Sequence, residues 1–173
     1  FPSAFTIYDT DDSKSVIKGI IKAFHMNPNV YNVGTCRNRI SSAKSNLISP
    51  KMYVNDQHLM AQDGMANMPS FHKIYAEYQK RCKRAGAMDF DDLLFQTYVL
   101  LRNNKEVLEK YQQKFKYVLV DEFQDTNFLQ FSIITLLTKN KPGDSNLFVV
   151  GDDAQSIYAF RGATIQNILG FQT

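Results

Sequence analysis

The sequence has few of the residues that staple or span. Of its 173 residues two are cysteine, five are proline, and none is tryptophan. Cys36 and Cys82 lie far apart without metal-ligand spacing. That argues against a zinc site or a disulfide scaffold, and for free thiols in a reducing compartment. No apolar run nears the ~20 residues a membrane-spanning helix needs. No signal-peptide pattern opens the chain at Phe1, so the cytoplasm is the expected compartment. The pattern G-x-x-x-x-G-K-[ST] occurs nowhere, so the chain encodes no complete P-loop. Internal repeats and low-complexity linkers are also missing. What is present is ordinary for a globular chain: 44% hydrophobic residues, in a length that suits one domain or a domain plus a subdomain.

The formal charge of +3 is unevenly spread. Up to Gly86 there are twelve Lys and Arg against six Asp and Glu; beyond it there are eight against eleven. A basic half can face a polyanion, although a solvated basic surface reads the same way. The acidic half carries the candidate metal site.

That site centres on Tyr117 to Thr126, YVLVDEFQDT. Tyr117, Val118, Leu119 and Val120 run without alternation, as expected of a strand buried on both faces of a parallel sheet. The run breaks into Asp121-Glu122. In an open α/β sheet the carboxyl ends of the strands form the ligand crevice, where one carboxylate can hold Mg²⁺ while a neighbour handles an attacking water. Apolar runs also end in acidic pairs at plain turns and helix caps. A second run, Leu147 to Val150, closes in Gly151-Asp152-Asp153. Between the two, residues 127–138 have helical spacing and residues 139–146 form a polar turn around Pro142 and Gly143. Strand, helix, strand predicts a crossover between parallel strands, with both acidic ends at one edge.

Upstream the pattern is helical. Asp9 to Phe24 predicts a helix with acids at its start and an apolar stripe of Val16, Ile17, Ile20, Ile21 and Phe24. Gly34 to Leu47 predicts a second, with Arg37, Arg39 and Lys44 exposed. Lys51 to Met68 is poorly patterned and reads as loop or weak helix. Pro69 suits the first position of a helix running to Ala85, with Gly86 as its stop; Phe71, Ile74, Tyr75 and Tyr78 form its buried face. Lys80, Arg81, Lys83 and Arg84 crowd its end, where the helix dipole alone favours cations. Asp89 caps a helix from Phe90 to Leu101, and Glu106 to Phe115 gives one more. The expected fold is thus α/β: a helical half, residues 1–86, and an α/β half, residues 87–173. Two strands make a poor sheet, so the chain reads as part of a larger domain.

VDEFQDT together with VGDDAQSIYAFRGA closely resembles motifs II and III of the UvrD/Rep/PcrA group of superfamily 1 DNA helicases. FTIYDTDD near the start, KRAGAMDFDDLL and the KYVLVDEFQDTN entry look like the same family in the same order, so the resemblance covers nearly the whole chain. It implies a 1B-like helical subdomain (1–86) and the C-terminal part of a RecA-like P-loop NTPase domain, 1A (87–173). It implies ATP and Mg²⁺ as ligands, and single-stranded and forked DNA as partners. Asp121 would be the Walker B acid on Mg²⁺, and Glu122 the base that orients and activates the water attacking the γ-phosphate. Gln155 would sense that phosphate; alone it reads as a turn cap. Gln124, at the nucleotide site, and Asp125 would brace it more than touch ATP. Tyr158 and Phe160 match positions that stack on bases, although the family's usual residue at the second is Trp and two such aromatics alone would read as core. Arg161 would contact DNA or pair with an acid. Lys80, Arg81, Lys83 and Arg84 would face duplex phosphates.

In the family the P-loop precedes the 1B insertion and the arginine-finger motifs follow motif III. The chain therefore reads as an excised piece without ATPase activity of its own. Three other readings remain: the helicase part of a helicase-nuclease, a non-catalytic DNA-binding module with degenerate motifs, and an unrelated Mg²⁺-dependent phosphotransferase.

Overall fold

The computed structural model describes residues 4–138 and 146–152. They are mostly helical, with two short pairs of parallel strands, and they fall into two compact units divided between Leu93 and Leu94.

The first unit opens with strand β1 (Thr6–Tyr8) and helix α1 (Thr10–Ala23). Asp9 starts α1 with a capping box: its side chain accepts the Asp11 and Asp12 N–H groups at 2.8 Å, and Asp12 accepts the Asp9 N–H at 3.2 Å. Ile17, Ile20 and Ile21 point into the core, whereas Phe24 lies past the last turn and is exposed. Helix α2 (Val33–Ser45) is capped by Asn32.

The stretch expected to be loop folds into two short helices, α3 (Pro50–Asn55) and α4 (Gln57–Met65). Local caps account for them. Ser49 caps α3 with Pro50 in its first turn, and Asp56 caps α4. A buried carboxylate holds them in place: Asp63 accepts the Tyr53 hydroxyl at 3.0–3.1 Å and pairs with Arg39 of α2. Helix α5 (Phe71–Arg84) begins two residues after Pro69, and the Ser70 N–H donates to the Tyr31 hydroxyl at 3.2 Å. Phe71, Ile74, Tyr75, Tyr78 and Cys82 are its buried face. Gly86, at φ 59°, ends the segment in a conformation that costs glycine little.

The first half is not wholly helical. Strand β2 (Ala87–Asp89) lies parallel to β1, pairing Thr6 with Ala87, Ile7 with Met88 and Tyr8 with Asp89. Strands of three residues are too short to print a period of two on the sequence. Helix α6 (Phe90–Asn103) follows and crosses the division. Asp89 and Asp92 cap it reciprocally: the Asp92 N–H donates to Asp89 at 2.8 Å, and the Asp89 N–H to Asp92 at 3.3 Å.

Lys44, expected at the surface of α2, is in the core. Its side chain is 1% exposed, and its ammonium sits 2.7 Å from Asp89 and 2.8 Å from Asp92, over the Tyr78 ring. Two buried carboxylates need a cation, and the α2 stem reaches them.

In the second unit come the rest of α6, α7 (Lys105–Lys114), β3 (Val118–Val120), a 3₁₀ turn (Phe123–Asp125), α8 (Phe128–Thr138) and β4 (Leu147–Val149). Asn127 and Gln130 close the start of α8 on each other, with bonds of 2.9 and 3.0 Å. Strands β3 and β4 are parallel, pairing Val118 with Leu147, Leu119 with Phe148 and Val120 with Val149. They are not buried on both faces. Leu119 is 73% exposed and Phe148 63%, while Val118, Val120, Leu147 and Val149 are half-buried. Among the described residues this sheet has two strands and one covered face, so an apolar run without alternation has outrun its cover.

Candidate active site

Because β3 and β4 run parallel, their carboxyl ends share one edge, and the chain leaves both strands there. The Val150 N–H donates to the Val120 carbonyl at 2.8 Å, and the Phe123 N–H to the Val150 carbonyl at 2.9 Å. These bonds extend the ladder one step past the strands and hold the acidic turn against the end of β4.

Asp121 and Glu122 are both exposed at this edge. Asp121 accepts the Glu122 N–H through one carboxylate oxygen at 2.9 Å. Glu122 adopts the left-handed conformation, φ 50° and ψ 45°, which is uncommon for a residue with a long side chain. The 3₁₀ turn that follows is closed by the Asp125 N–H on the Glu122 carbonyl at 2.9 Å, and by the Thr126 hydroxyl on the Phe123 carbonyl at 2.7 Å. Phe123 anchors the turn: it is buried and meets the Phe131 ring edge-to-face at 5.9 Å.

Gln124 is 1% exposed and spans the site from below. Its amide donates to the Glu122 carboxylate at 2.5 Å, and its carbonyl accepts the Asp152 N–H at 3.0 Å. Gly151 lets the two segments approach this closely. A Cβ there would stand 2.6 Å from the Gln124 Oε1 and 3.3 Å from the Phe123 and Gln124 nitrogens. One buried carboxylate oxygen of Asp125 has no hydrogen-bond partner among the described residues.

Neither Asp121 nor Glu122 has a cationic partner among the described residues. Nor do the described residues bring three His, Cys, Asp or Glu together as a metal cage. The donor set is thus one or two exposed hard-oxygen ligands. It fits Mg²⁺, which keeps most of its waters and takes one or two carboxylates alongside phosphate oxygens.

The structure therefore brings Asp121, Glu122 and Gln124 together. Gln155, Tyr158, Phe160 and Arg161 lie outside the described residues, as does Asp153. Of the basic residues at the end of α5, Lys80, Lys83 and Arg84 are exposed, whereas Arg81 pairs with Glu77 at 2.9 Å.

A second polar cluster, which sequence reasoning missed, lies in the first unit. Burial disfavours the Lys44 charge, but Asp89 and Asp92 outweigh it and hold the lysine above its ordinary range. Burial likewise opposes charge on Asp89, and Lys44 overcomes it, so this carboxyl lies below its usual range. At Asp92 burial prevails and the carboxyl is raised. Tyr78 donates to Asp89 at 2.8 Å and Gln79 to Asp92 at 3.1 Å, so both carboxylates are tied into the fold, while the Gln79 amide oxygen has no hydrogen-bond partner among the described residues. The three-residue spacing of Asp89 and Asp92 at a helix start was a readable sign; nothing in Ala43-Lys44-Ser45 marks the lysine.

A mostly helical chain with short pairs of parallel strands, one pair bearing acids at its carboxyl ends, is consistent with the α/β class, in which ligands bind at that edge. Comparison with known proteins names the family within this class. The chain matches the UvrD/REP helicase N-terminal domain over residues 1–173, and it belongs to that family. It is 39% identical over 168 residues to the ATP-dependent DNA helicase PcrA of Leuconostoc citreum, covering 97% of this chain and 21% of the relative. It is 40% identical over 168 residues to PcrA of Bacillus subtilis, covering 97% and 22%. It is 38% identical over 177 residues to UvrD1 of Mycobacterium leprae, covering 98% and 22%. The chain thus spans about a fifth of the length of these curated relatives. Among the described residues no helix is long and apolar enough to cross a membrane.

Proposed function

We propose that this chain is the 1B-like subdomain (residues 1–86) and the C-terminal part of a RecA-like motor domain 1A (residues 87–173) of a 3′-to-5′ DNA helicase. The whole protein couples Mg-ATP hydrolysis to translocation along single-stranded DNA and to unwinding at a fork. The observation that carries this reading is the pair of exposed acids, Asp121 and Glu122, at the shared carboxyl edge of β3 and β4, in a chain whose relatives are named ATP-dependent DNA helicases.

Phosphoryl transfer to water asks little covalent chemistry of a protein; it asks for position and charge. Asp121 is the residue that would hold Mg²⁺, which when bound neutralises charge on the β- and γ-phosphates. Its second oxygen is spent on the Glu122 N–H, which fixes the carboxylate's orientation. Glu122 takes a proton from the attacking water at its carboxylate. Gln155 reads the γ-phosphate through its amide, which can donate to phosphate and accept from water. Tyr158 and Phe160 stack on bases and Arg161 contacts the strand, a grip indifferent to sequence, as translocation requires. The exposed Lys80, Lys83 and Arg84 suit duplex phosphates.

The test is ATP hydrolysis by the full-length protein, with and without single-stranded DNA, beside Glu122→Gln. DNA-stimulated turnover that the variant loses supports the reading. A full-length protein that hydrolyses no ATP under either condition overturns it in favour of a binding module. The chain by itself, which encodes no P-loop, is expected to turn over no ATP.

A further inference from the structure

We infer that Gln124 is the positioning residue for Glu122, tying its carboxylate to the backbone that leaves β4. The inference rests on the reading of Glu122 as the base and goes one residue deeper.

The geometry begins with the backbone. Glu122 is held in the left-handed conformation between two fixed points, Val120 through the strand and Phe123 through its bond to the Val150 carbonyl. This settles where the Glu122 Cα stands, but not where its carboxylate points, since three side-chain torsions remain. Among the described residues one side chain removes that freedom. Gln124 Nε2 lies 2.5 Å from Glu122 Oε2. The other end of the same amide accepts the Asp152 N–H at 3.0 Å, so the donor is itself held in place. The Gln124 side chain is enclosed, and the bare α-carbon of Gly151 is what leaves room for its carbonyl.

The residue type suits this task. An amide can give a hydrogen to a carboxylate while taking one from a backbone N–H. Glutamate in its place keeps the shape but, when ionised, cannot donate and would repel Glu122. Methionine fills the volume and does neither. Gln124 is also buried beneath the acids rather than presented at the edge beside Asp121, so it acts on the chemistry through Glu122 and not through the nucleotide. Because one amide serves both segments, a displacement of the Asp152 backbone is passed to the base.

The experiment compares full-length wild-type protein with Gln124→Glu, Gln124→Met and Glu122→Gln, measuring kcat and KM for ATP with saturating single-stranded DNA, with a thermal melt of each. The expected result is a roughly 10- to 100-fold loss of kcat in both Gln124 variants, the scale of a misplaced catalytic group. KM should stay within about two-fold, and the melts should stay near wild type. Either Gln124 variant with wild-type kcat overturns the inference. A raised KM with kcat kept means that Gln124 contacts nucleotide instead, and overturns it. Loss of the folded transition in both variants assigns Gln124 a purely structural role and also overturns it. The underlying reading fails separately, and takes the inference with it, if wild type shows no DNA-stimulated turnover or if Glu122→Gln keeps it.

Discussion

The Lys44 ammonium lies 2.7 Å from the Asp89 carboxylate, at a depth where 1% of the lysine side chain meets solvent. Removing one partner of such a pair strands the others without water. Lys44→Met keeps the stem but leaves Asp89 and Asp92 without their cation, and should cost about 3–5 kcal/mol. Urea unfolding of the first unit measures it; a variant within 1 kcal/mol of wild type, roughly a factor of five in the folding equilibrium, would show that the carboxylates find other partners.

The same pair sets a pH dependence. Lys44 binds its proton more tightly folded than unfolded, because Asp89 and Asp92 outweigh the burial that opposes its charge. Its contribution is complete below the ordinary lysine value of 10.5 and is lost as pH rises through the higher folded value. The gap between wild-type and Lys44→Met urea midpoints should therefore hold steady from about pH 7 to 10.5 and narrow from there as pH rises towards the folded value.

Both thiols are buried, and burial pushes each of them from 9.0 to about 11. Only the thiolate alkylates. At about pH 8 neither Cys36 nor Cys82 should react with iodoacetamide in the folded chain, while both react in urea. From 9.0 to about 11 the unfolded chain gives up these protons first, so stability should fall across that interval.

Gly151→Ala puts a carbon 2.6 Å from Gln124 Oε1 with backbone nitrogens 3.3 Å away on the same side. The amide must move or the segments must part. The expected loss is about 1–3 kcal/mol of stability in the second unit. In the full-length protein, ATP turnover should fall while nucleotide binding persists; an alanine variant with wild-type turnover would show that this approach is not needed.

Asp63 has no exposed surface and carries both Arg39 and Tyr53. Asp63→Ala should cost about 2–3 kcal/mol, because the Tyr53 hydroxyl loses its acceptor while Arg39, 29% exposed, loses its counterion but can still reach water. Tyr53→Phe removes only the hydroxyl bonds and should cost about 1 kcal/mol. Circular dichroism melts of the two variants would rank them; equal losses would mean that the Tyr53 hydroxyl, not the charge, holds α3 and α4.

Much of the fold was legible because its signals are local. Asp9 ahead of an isoleucine stripe, Gly86 after a basic turn and Asp89 before Phe90 each mark a helix end through bonds to their own neighbours. The acidic edge was legible for a related reason: two apolar runs joined by a helical spacer leave few topologies. What failed to show was set by partners distant in sequence. Lys44 looks like a surface lysine until Asp89 and Asp92 are brought beside it, 45 and 48 positions away. Asp63 likewise organises a stretch whose own pattern is nearly blank. Strands β1 and β2 carry three residues each, too few to repeat anything. Within the site, Asp121 and Glu122 announce themselves as acids, but the grip of Gln124 on Glu122 and the need for Gly151 depend on how closely two chain segments approach, which no spacing records.

The pairing of Thr6–Tyr8 with Ala87–Asp89 means that helices α1 to α5 leave and rejoin the chain at the same place. Topologically they form one closed loop with a zipped neck. The entropy of closing a loop rises only with the logarithm of its length, about 0.6 kcal/mol for each doubling. Residues gained or lost at the exposed turns of this loop thus leave the register at the neck nearly untouched. Changes in length at the far side of the unit are therefore expected to leave its attachment, the Thr6–Tyr8 and Ala87–Asp89 pairing, in place.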